Sequence, residues 1–405
     1  MNNSRLRIPY SRRQMLVTLA ALALSGSVNA ATSGPPIKVG GTLSLTGPLA
    51  QTSQLYKIAS EMYVERLNKG DGLMGRPVEF VLLDDQSKPE LARSLYERLI
   101  TVDKVDLLMG PYGTGNILAV MVVAERYGKL LLHSSFGIPK LAKYERQIPV
   151  GPLGYTPEEG VPNIVLDGLA AAGKTPKTVA IIASKFPSVH FVGTGAREVM
   201  KKRGIKETLF LEYEFGARDF GPIAARVRDA DPDLLFIGGI ALESNLLLEA
   251  LKKLNYSPRN HFHLYPSPGP LANSPDATNA ISLTFFEDHP PFTSKPLGAE
   301  FARNFQERAT KAGMPYTLLE MQGSGQISSW QILEAAVNAT RSLDDKVLTQ
   351  WIKANPVDTF AGKQSFTGPN NFGEFNYKLK QVQNGKWVVV FPSEFAAPGA
   401  KLIAR

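Results

Sequence analysis

Short apolar runs alternate with amphipathic segments along the first part of the chain. After the first run, Leu55, Ile58 and Met62 recur at helical spacing, which predicts an amphipathic helix. Strands are predicted at 37–45, 78–83, 105–109 and 130–132, and further helices at 91–100 and 117–127. Strands that alternate with helices in this way indicate βαβ units and a parallel sheet.

The same alternation restarts after a proline- and glycine-containing boundary at 149–152. Strands are then predicted at 179–183, 208–213, 234–237 and 262–265, with helices at 195–202, 220–228 and 244–254. The remainder predicts helices near 296–312, 317–340 and 345–353, and a hairpin at 377–391 that turns at Asn384-Gly385. This remainder is too short and too helical for a third sheet domain. We therefore expect an α/β protein with two doubly wound parallel-sheet lobes, which the remainder completes.

The N-terminal segment has the three regions of a secretory signal peptide. Four arginines lie at positions 5, 7, 12 and 13, an apolar run follows at 15–24, and a small-x-small site lies at 28–30. The run is too short to span a bilayer. We interpret residues 1–30 as a cleavable signal for export to the periplasm, and an N-terminal anchor helix is the alternative. Arg12-Arg13 also resembles a twin-arginine signal.

Composition and charge exclude several classes of protein. The chain is 43% hydrophobic and 20% charged, which suits packed cores and not a membrane bundle. Its net charge of +8 falls to +4 once the four signal-peptide arginines are removed, so nucleic-acid binding has little support. The chain has no cysteine. We therefore expect neither disulfides nor a lipid anchor.

Small polar residues follow several predicted strands. In a doubly wound sheet, ligands bind beyond the carboxyl ends of the strands, near helix N-termini. The loops at 46–53, 110–116 and 134–137 have this placement and are rich in Gly, Ser and Thr. Each loop could be only a cap or a turn. Together they predict a ligand cleft whose free backbone N–H groups suit a carboxylate or another acceptor-rich group.

The sequence offers no convincing catalytic or metal site. His261 and His263 share a strand face, but no third metal ligand is evident. Asp84 and Asp85 are adjacent at a strand end, which favours structural roles over an acid pair. Ser324, between two glycines, lies in a predicted helix without the strand–turn–helix context of a nucleophile. We expect a binding protein, not an enzyme, with no cofactor and no metal.

Several segments, in order, resemble a known family. The segments are IKVGGTLSLTGPLA at 37–50, GDGLMGRPVEFVLLDD at 70–85, VDLLMGPYGT at 105–114, and stretches at 179–182, 193–199 and 233–239. They are similar to the periplasmic leucine/isoleucine/valine-binding proteins, the type I solute-binding proteins of branched-chain amino acid ABC transporters. The resemblance covers nearly all of residues 37–392. It implies a Venus-flytrap fold with three crossings, lobe one at 36–151 and 285–370, and lobe two at 152–284 and 371–405.

The resemblance also implies a ligand site between the lobes. It places Thr114 on the ligand carboxylate, with Tyr112 and Gly113 before it and with Ser135, Phe136 and Gly137 in the following loop. It suggests Gln51 at the mouth and an aromatic contact from Phe191, although extra residues within 186–190 blur that alignment. The implied partners are a small-molecule ligand, which is an amino acid or a related carboxylate or amide, and an ABC permease in the inner membrane. We expect a monomer.

Two positions depart from the family pattern. The second lobe-two aromatic falls at Ile240 or Ala241, and the acidic partner of the ligand ammonium falls near Ser267. A buried ammonium without an anionic partner is costly. The hypothesis is therefore a carboxylate or amide that is not a standard amino acid, unless Glu243 or Glu212 reaches the cleft. A sensor of the same fold that signals to a membrane receptor remains an alternative to a transport receptor.

Overall fold

The structure is a computed structural model that describes residues 32–240, 242–264 and 269–405. The predicted signal peptide and the predicted site positions Ala241 and Ser267 lie outside the described residues. Within them, strands and helices alternate through most of the chain from Ile37 to Lys253 as the sequence pattern predicted, except that a short 3₁₀ helix separates the fourth and fifth strands.

The first sheet contains five parallel strands in the order β2-β1-β3-β4-β5. Its strands are β1 (Ile37–Leu43), β2 (Val78–Asp84), β3 (Leu107–Met109), β4 (Leu131–His133) and β5 (Gln147–Pro149). The connecting helices are α1 (Ala50–Lys69), α2 (Pro89–Thr101) and α3 (Thr114–Arg126). Because β1 neighbours both β2 and β3, the strand order reverses at β1. The carboxyl ends of the strands form a crevice at such a switch point, and ligands bind in crevices of this kind.

The second sheet contains seven strands in the order β14-β13-β10-β9-β8-β6-β7. Its strands are β6 (Thr178–Ser184), β7 (Lys206–Tyr213), β8 (Leu234–Gly238), β9 (Asn260–Leu264), β10 (Ile281–Thr284), β13 (Lys378–Gln383) and β14 (Lys386–Phe391). The helices between them are α4 (Pro157–Ala171), α5 (Pro187–Lys202), α6 (Gly221–Ala230) and α7 (Glu243–Lys253). Strands β6 to β10 are parallel, whereas β13 and β14 are antiparallel to their neighbours.

Both faces of the second sheet are buried. Along β6, Val179 and Ile181 belong to one apolar cluster, whereas Ala180 and Ile182 belong to another that includes α6 and α7. Successive side chains of a strand point to opposite faces. Burial of both faces explains why the sequence of this strand is a continuous apolar run and not an alternating one.

The predicted hairpin at the C-terminal end forms between β13 and β14. Its turn residues, Asn384 and Gly385, have φ values of 52° and 72°. Two successive positive φ values are characteristic of the type I′ turn, whose twist matches that of the flanking strands. This hairpin extends the second sheet, and so the C-terminal segment returns to a sheet that began far earlier in the chain.

Three chain segments connect the two halves of the molecule. They lie between β5 and α4, between β10 and α8 (Pro296–Lys311), and between β12 (Gly362–Gln364) and β13. Between the second and third crossings, the chain forms α8, α9 (Met321–Thr340), α10 (Asp345–Ala354) and a small hairpin of β11 (Val357–Thr359) with β12. Helix α9 packs on α1 of the first half. The two α/β halves are those that the sequence pattern predicted, and the three crossings are those that the family resemblance implied.

The structure differs from the predicted elements at α4, for which no helix was predicted, and at several short elements. Strands β5, β10, β11 and β12 each have three or four residues, too few for a pattern of alternation. Helix α5 begins at Pro187, earlier than predicted, because proline suits the first turn of a helix. Short 3₁₀ helices are present at Pro139–Leu141, Gly269–Asn273, Pro275–Ala277, Phe292–Ser294, Pro369–Asn371 and Ser393–Phe395.

A buried ionic cluster ties the crossings together. The Lys380 ammonium lies 2.5 Å from a Glu287 carboxylate oxygen and 3.8 Å from one of Glu320. All three residues are at most 2% exposed. Glu287 follows the strand that leads into the second crossing, Glu320 precedes α9, and Lys380 lies just after the third crossing. The three charges therefore join segments that are distant in the sequence.

Burial raises the pKa of Glu320 to about 7, although the nearby Lys380 ammonium opposes the rise. The same carboxylate accepts a hydrogen bond from the Gly269 N–H at 3.1 Å. A folded-state pKa above the usual value means that the native protein binds this proton more tightly than the unfolded chain does. The contribution of Glu320 to stability is therefore greatest at low pH and declines as pH rises from about 4.5 to 7.

Removal of the ammonium is expected to leave two buried carboxylates without a counter-ion. For Lys380→Met at pH 7, we expect a loss of about 3–5 kcal/mol in the free energy of unfolding, measured by urea denaturation. The loss should be smaller at pH 5, where Glu320 is protonated. Lys386→Met, which changes an exposed lysine of the same hairpin, is the control. Equal stability of the Lys380 variant and the wild type at pH 7 would contradict the proposed importance of the cluster.

Candidate ligand site between the two sheets

A cavity of about 630 Å³, open to solvent, lies where the two halves of the molecule meet. The first half contributes the loops after β3 and β4, the second half contributes the start of α5, and all three crossings line the remaining wall. The lining residues are Tyr112, Gly113, His133, Ser134, Ser135, Phe136, Gly137, Pro149, Val150, Gly151, Leu153, Phe186, Ser188, Phe285, Met321, Gln322, Phe372 and Tyr377.

Two hydrogen bonds hold the loops of the first half in place. The Gly113 N–H donates to the Ser135 hydroxyl at 2.9 Å, and the Gly137 N–H donates to the Thr114 hydroxyl at 3.0 Å. Thr114 is the first residue of α3 and is fully buried. Each hydroxyl therefore accepts from the other loop, and the pair fixes the start of α3 against the segment after β4.

The cavity walls are largely aromatic. The lining includes six aromatic rings apart from that of His133, namely Tyr112, Phe136, Phe186, Phe285, Phe372 and Tyr377. The rings of Phe136 and Phe372 lie 6.5 Å apart, and those of Phe285 and Tyr377 lie 5.9 Å apart. Among the described residues, no Asp, Glu, Lys or Arg lines this cavity. It therefore suits a small, flat and mostly apolar molecule.

Three polar atoms of lining residues have no hydrogen-bond partner in the described chain. They are the Ser134 hydroxyl oxygen, His133 Nδ1 and Gln322 Oε1. Each is shielded from solvent. Buried polar atoms are nearly always paired, because an unpaired one retains the cost of its lost hydration. Unpaired atoms in the wall of a cavity point to a ligand as the missing partner.

A second cleft lies next to the aromatic cavity, again between the two halves. It has a volume of about 720 Å³, and Gln51 and Ile240 line it from opposite sides. The ring of Phe215, in this cleft, lies 5.1 Å from the ring of Phe186, in the aromatic cavity. The two openings therefore share an aromatic wall.

The carboxylates that could have served a ligand ammonium have other partners. Glu243 borders the second cleft, where its oxygens accept hydrogen bonds from the Gly216 and Ile240 N–H groups and the Tyr213 hydroxyl. Glu212 pairs with His190 at the surface. Neither carboxylate lines the aromatic cavity. Glu243 thus reaches a cleft between the halves, the condition under which the ligand hypothesis was not expected to hold, whereas the aromatic cavity has no such carboxylate in its lining.

The structure brings together part of the predicted site. Tyr112, Gly113, Ser135, Phe136 and Gly137 all line the aromatic cavity. Thr114 lies behind that wall through its bond to Gly137, and Gln51 and Ile240 line the second cleft. Phe191 lines neither opening; its ring lies 5.9 Å from the Lys140 ammonium. The aromatic residue that α5 and its preceding loop direct into the cavity is Phe186.

Sequence reasoning missed the walls formed by the crossings. Phe285, Phe372 and Tyr377 come from the second and third crossings, and Gln322 comes from the first turn of α9. No local pattern marks these residues, because their approach depends on how the crossings pack. A signal was available for Phe186, since it directly follows a strand and precedes the proline that begins α5.

The residues that were predicted to be structural have structural partners. Asp85 accepts hydrogen bonds from the Thr42 and Ser44 hydroxyls at 2.7 and 2.6 Å. His261 Nδ1 and His263 Nε2 lie 2.9 Å apart. Within the described ranges, no group of three or more His, Cys, Asp or Glu side chains could hold a metal ion. The described helices also include none that is both long and apolar enough to cross a membrane.

Comparison with known proteins identifies the family. A model of the family described as periplasmic binding protein matches residues 36–386. The chain belongs to this family. Its members are solute-binding proteins, so the expectation of a binding protein and not an enzyme is confirmed.

The relatives of this periplasmic binding protein share its fold at low sequence identity. The leucine-, isoleucine-, valine-, threonine- and alanine-binding protein of Pseudomonas aeruginosa is 21% identical over 369 residues, which cover 89% of this chain and 93% of the relative. A solute-binding protein of an ABC transporter from R. palustris, solved with benzoate, has a TM-score of 0.76 at 17% identity and covers 91% of this chain and 99% of its own.

A third relative binds an amino acid. The branched-chain amino acid transporter substrate-binding protein LivJ of Streptococcus pneumoniae, solved with isoleucine, has a TM-score of 0.74 at 17% identity. The match covers 88% of this chain and all of that one. The same fold thus holds an amino acid in one relative and an aromatic carboxylate in another. The resemblance to the leucine/isoleucine/valine-binding proteins is confirmed at the level of family and fold.

The Thr114 hydroxyl is expected to stabilise the loops of this binding protein. Thr114→Val removes the acceptor and leaves the Gly137 N–H unpaired within the protein, so we expect a loss of about 1–3 kcal/mol in the free energy of unfolding. Urea denaturation measures it. Thr310→Val, whose hydroxyl only donates to the preceding turn of an exposed helix, should cost much less. Equal losses in the two variants would show that the Thr114 bond has no special value.

Proposed function

We propose that this protein captures a small aromatic carboxylate in the periplasm and delivers it to an ABC permease of the inner membrane. The observation that carries the proposal is the aromatic cavity between the two sheets, whose described lining contains no charged side chain. A related fold solved with benzoate supports the same ligand class. A related amide is the nearest alternative within this proposal.

The polar groups available at the cavity favour a carboxylate over an ammonium. Helix α3 begins at Thr114, beside the lining residue Gly113. The first N–H groups of a helix have no acceptor within the helix and carry the positive end of its dipole. These groups can stabilise an anion without a positively charged side chain. An ammonium would need a buried anion, and the described lining offers none.

Contact between the halves supports capture by closure. Gly137, from the first half, lies so close to Ser188 of α5 that a Cβ on Gly137 would be 2.4 Å from the Ser188 Cβ. We propose lobe one at 36–151 and 285–370 and lobe two at 152–284 and 371–405. A ligand that contacts both lobes would bind the closed form more tightly than the open form. This difference in ligand affinity would shift the equilibrium towards the closed form.

Export and delivery follow from the same proposal. The signal-peptide interpretation of residues 1–30 would take the protein to the periplasm, and family membership supports delivery to a permease. We propose that the protein works as a monomer. The alternative function is a periplasmic sensor that passes the closed form to a membrane receptor. A strain in which the gene is deleted distinguishes the two functions. If this strain still takes up the ligand but no longer shows a transcriptional response to it, the sensor function is favoured.

The ligand class can be tested by titration calorimetry and thermal shift with matched probes. We expect benzoate to bind and to raise the stability by about 2.7 kcal/mol at 100 times its dissociation constant. Benzamide should bind less tightly, because it lacks the negative charge. Benzylamine, leucine, valine and phenylalanine should not bind, because their ammonium groups would lack an anionic partner.

Two results would overturn the proposal. Micromolar binding of leucine, valine or phenylalanine would show that an ammonium partner exists after all. Tighter binding of benzylamine than of benzoate would show that the cavity favours positive charge.

Closure can be tested at the contact between the halves. Gly137→Ala places a methyl group against Ser188, so we expect benzoate affinity to fall roughly 5- to 150-fold, as for other overpacked contacts. Small-angle X-ray scattering should show a smaller decrease in radius of gyration on benzoate addition than in the wild type. Gly70→Ala, which would make only ordinary contacts at the end of α1, is the control. Unchanged affinity in the Gly137 variant would contradict closure through this contact.

A further inference from the structure

The orientation of the Gln147 amide determines which nitrogen of His133 carries the proton. The Gln147 Nε2 lies 2.5 Å from the Asn370 carbonyl oxygen and 3.5 Å from that of Ala142. Only the amide nitrogen can donate to a carbonyl oxygen, so the Gln147 Oε1 must face the other way. It lies 2.7 Å from His133 Nε2. Since Oε1 can only accept, Nε2 must carry the proton.

The other ring nitrogen of His133 is therefore a hydrogen-bond acceptor. Burial lowers the pKa of His133 to about 4, so the ring is neutral at physiological pH and has only one N–H. Because that N–H is on Nε2, Nδ1 presents a lone pair. Nδ1 has no partner in the described chain and is shielded from bulk water, and His133 is 1% exposed and lines the cavity.

No group of the described chain donates a hydrogen bond to His133 Nδ1. Its ring packs edge-on against Phe136, with centroids 5.6 Å apart. A second unpaired acceptor, Gln322 Oε1, belongs to another residue of the same lining. The unpaired Ser134 hydroxyl can donate or accept. The part of the cavity that contains His133 thus has an excess of acceptors, whereas the start of α3 presents donors.

We propose that His133 Nδ1 is a ligand-binding acceptor, and that the natural ligand carries a neutral hydroxyl or N–H donor in addition to its carboxylate. This inference rests on the proposed function and refines it to hydroxylated or amino-substituted aromatic carboxylates. A ligand without the donor, such as benzoate, leaves Nδ1 desolvated and unpaired, so we expect it to bind less tightly than a ligand that carries the donor. His133 is then the residue that sets specificity, although sequence reasoning had not selected it.

The proposal can be tested with two pairs of probes, in each of which one member has a ring hydroxyl where the other has a methyl group. The pairs are 4-hydroxybenzoate with 4-methylbenzoate, and 3-hydroxybenzoate with 3-methylbenzoate. We expect the wild type to prefer the hydroxyl form about 10- to 100-fold in at least one pair, as measured by titration calorimetry. Tighter or equal binding of the methyl form in both pairs overturns the inference alone. If none of the four probes binds, the proposed function fails as well.

Two conservative variants separate the two nitrogens of His133. Asparagine places its amide group near the position of Nδ1, and glutamine places its amide group near that of Nε2. We expect His133→Gln to keep the contact with Gln147 but to lose the preference for hydroxyl. His133→Asn should lose that contact, with some loss of stability, but retain part of the preference. The opposite pattern would overturn the assignment of Nδ1.

The imidazole nitrogens report the contact directly. In the wild type, the ¹⁵N resonance of the unprotonated His133 nitrogen, assigned by its absence in His133→Gln, should shift when 4-hydroxybenzoate or 3-hydroxybenzoate is added. The methylated partner should not produce this shift, since it has no donor. A merely structural histidine would respond alike to both members of a pair, and such a result would count against the proposal.

Discussion

The ammonium of Lys380, held between the carboxylates of Glu287 and Glu320, is the interaction on which the arrangement of the two halves depends. Isolated ions are too costly to bury, and a lysine without partners at this position would not remain charged. Here two carboxylates and the face of Trp387, whose ring centroid lies 4.9 Å from the ammonium, surround it. The cluster fixes the second crossing, the start of α9 and the strand after the third crossing as one unit.

The ligand cavity uses the same segments. Phe285 lies two residues before Glu287, Gln322 lies two residues after Glu320, and Tyr377 lies three before Lys380. The ionic cluster therefore holds the backbone next to three side chains that line the cavity. The crossings are also the only covalent links between the two halves in the described chain. In the closure that we propose, the segments that bend would therefore be segments that the ligand contacts.

The helices and strands could be predicted from the sequence more completely than the residues that line the cavity. Most elements of the βαβ runs and the Asn384-Gly385 turn depend on local patterns, and the structure has them where the patterns indicated, with α4 as an exception. The loop at 134–137 could be predicted because a strand end in a parallel sheet faces the crevice wherever the rest of the chain goes. Phe372 and Tyr377 could not, since their position depends on a crossing with no repeating pattern. The choice of Phe191 over Phe186 depended on an alignment across extra residues, which the start of α5 at Pro187 resolves.

His133 shows why polar chemistry was hardest to infer from the sequence. It is the last residue of a short apolar strand, and a histidine at such a position is predicted from the sequence to be part of the core. Its significance depends on a chain of contacts: carbonyl groups of Ala142 and Asn370 orient Gln147, Gln147 sets the protonated nitrogen, and the remaining nitrogen faces no donor. Each step joins residues from different parts of the chain, with Asn370 contributed by the third crossing. Folding of the crossings thus determines both the shape of the cavity and the hydrogen-bonding character of its wall.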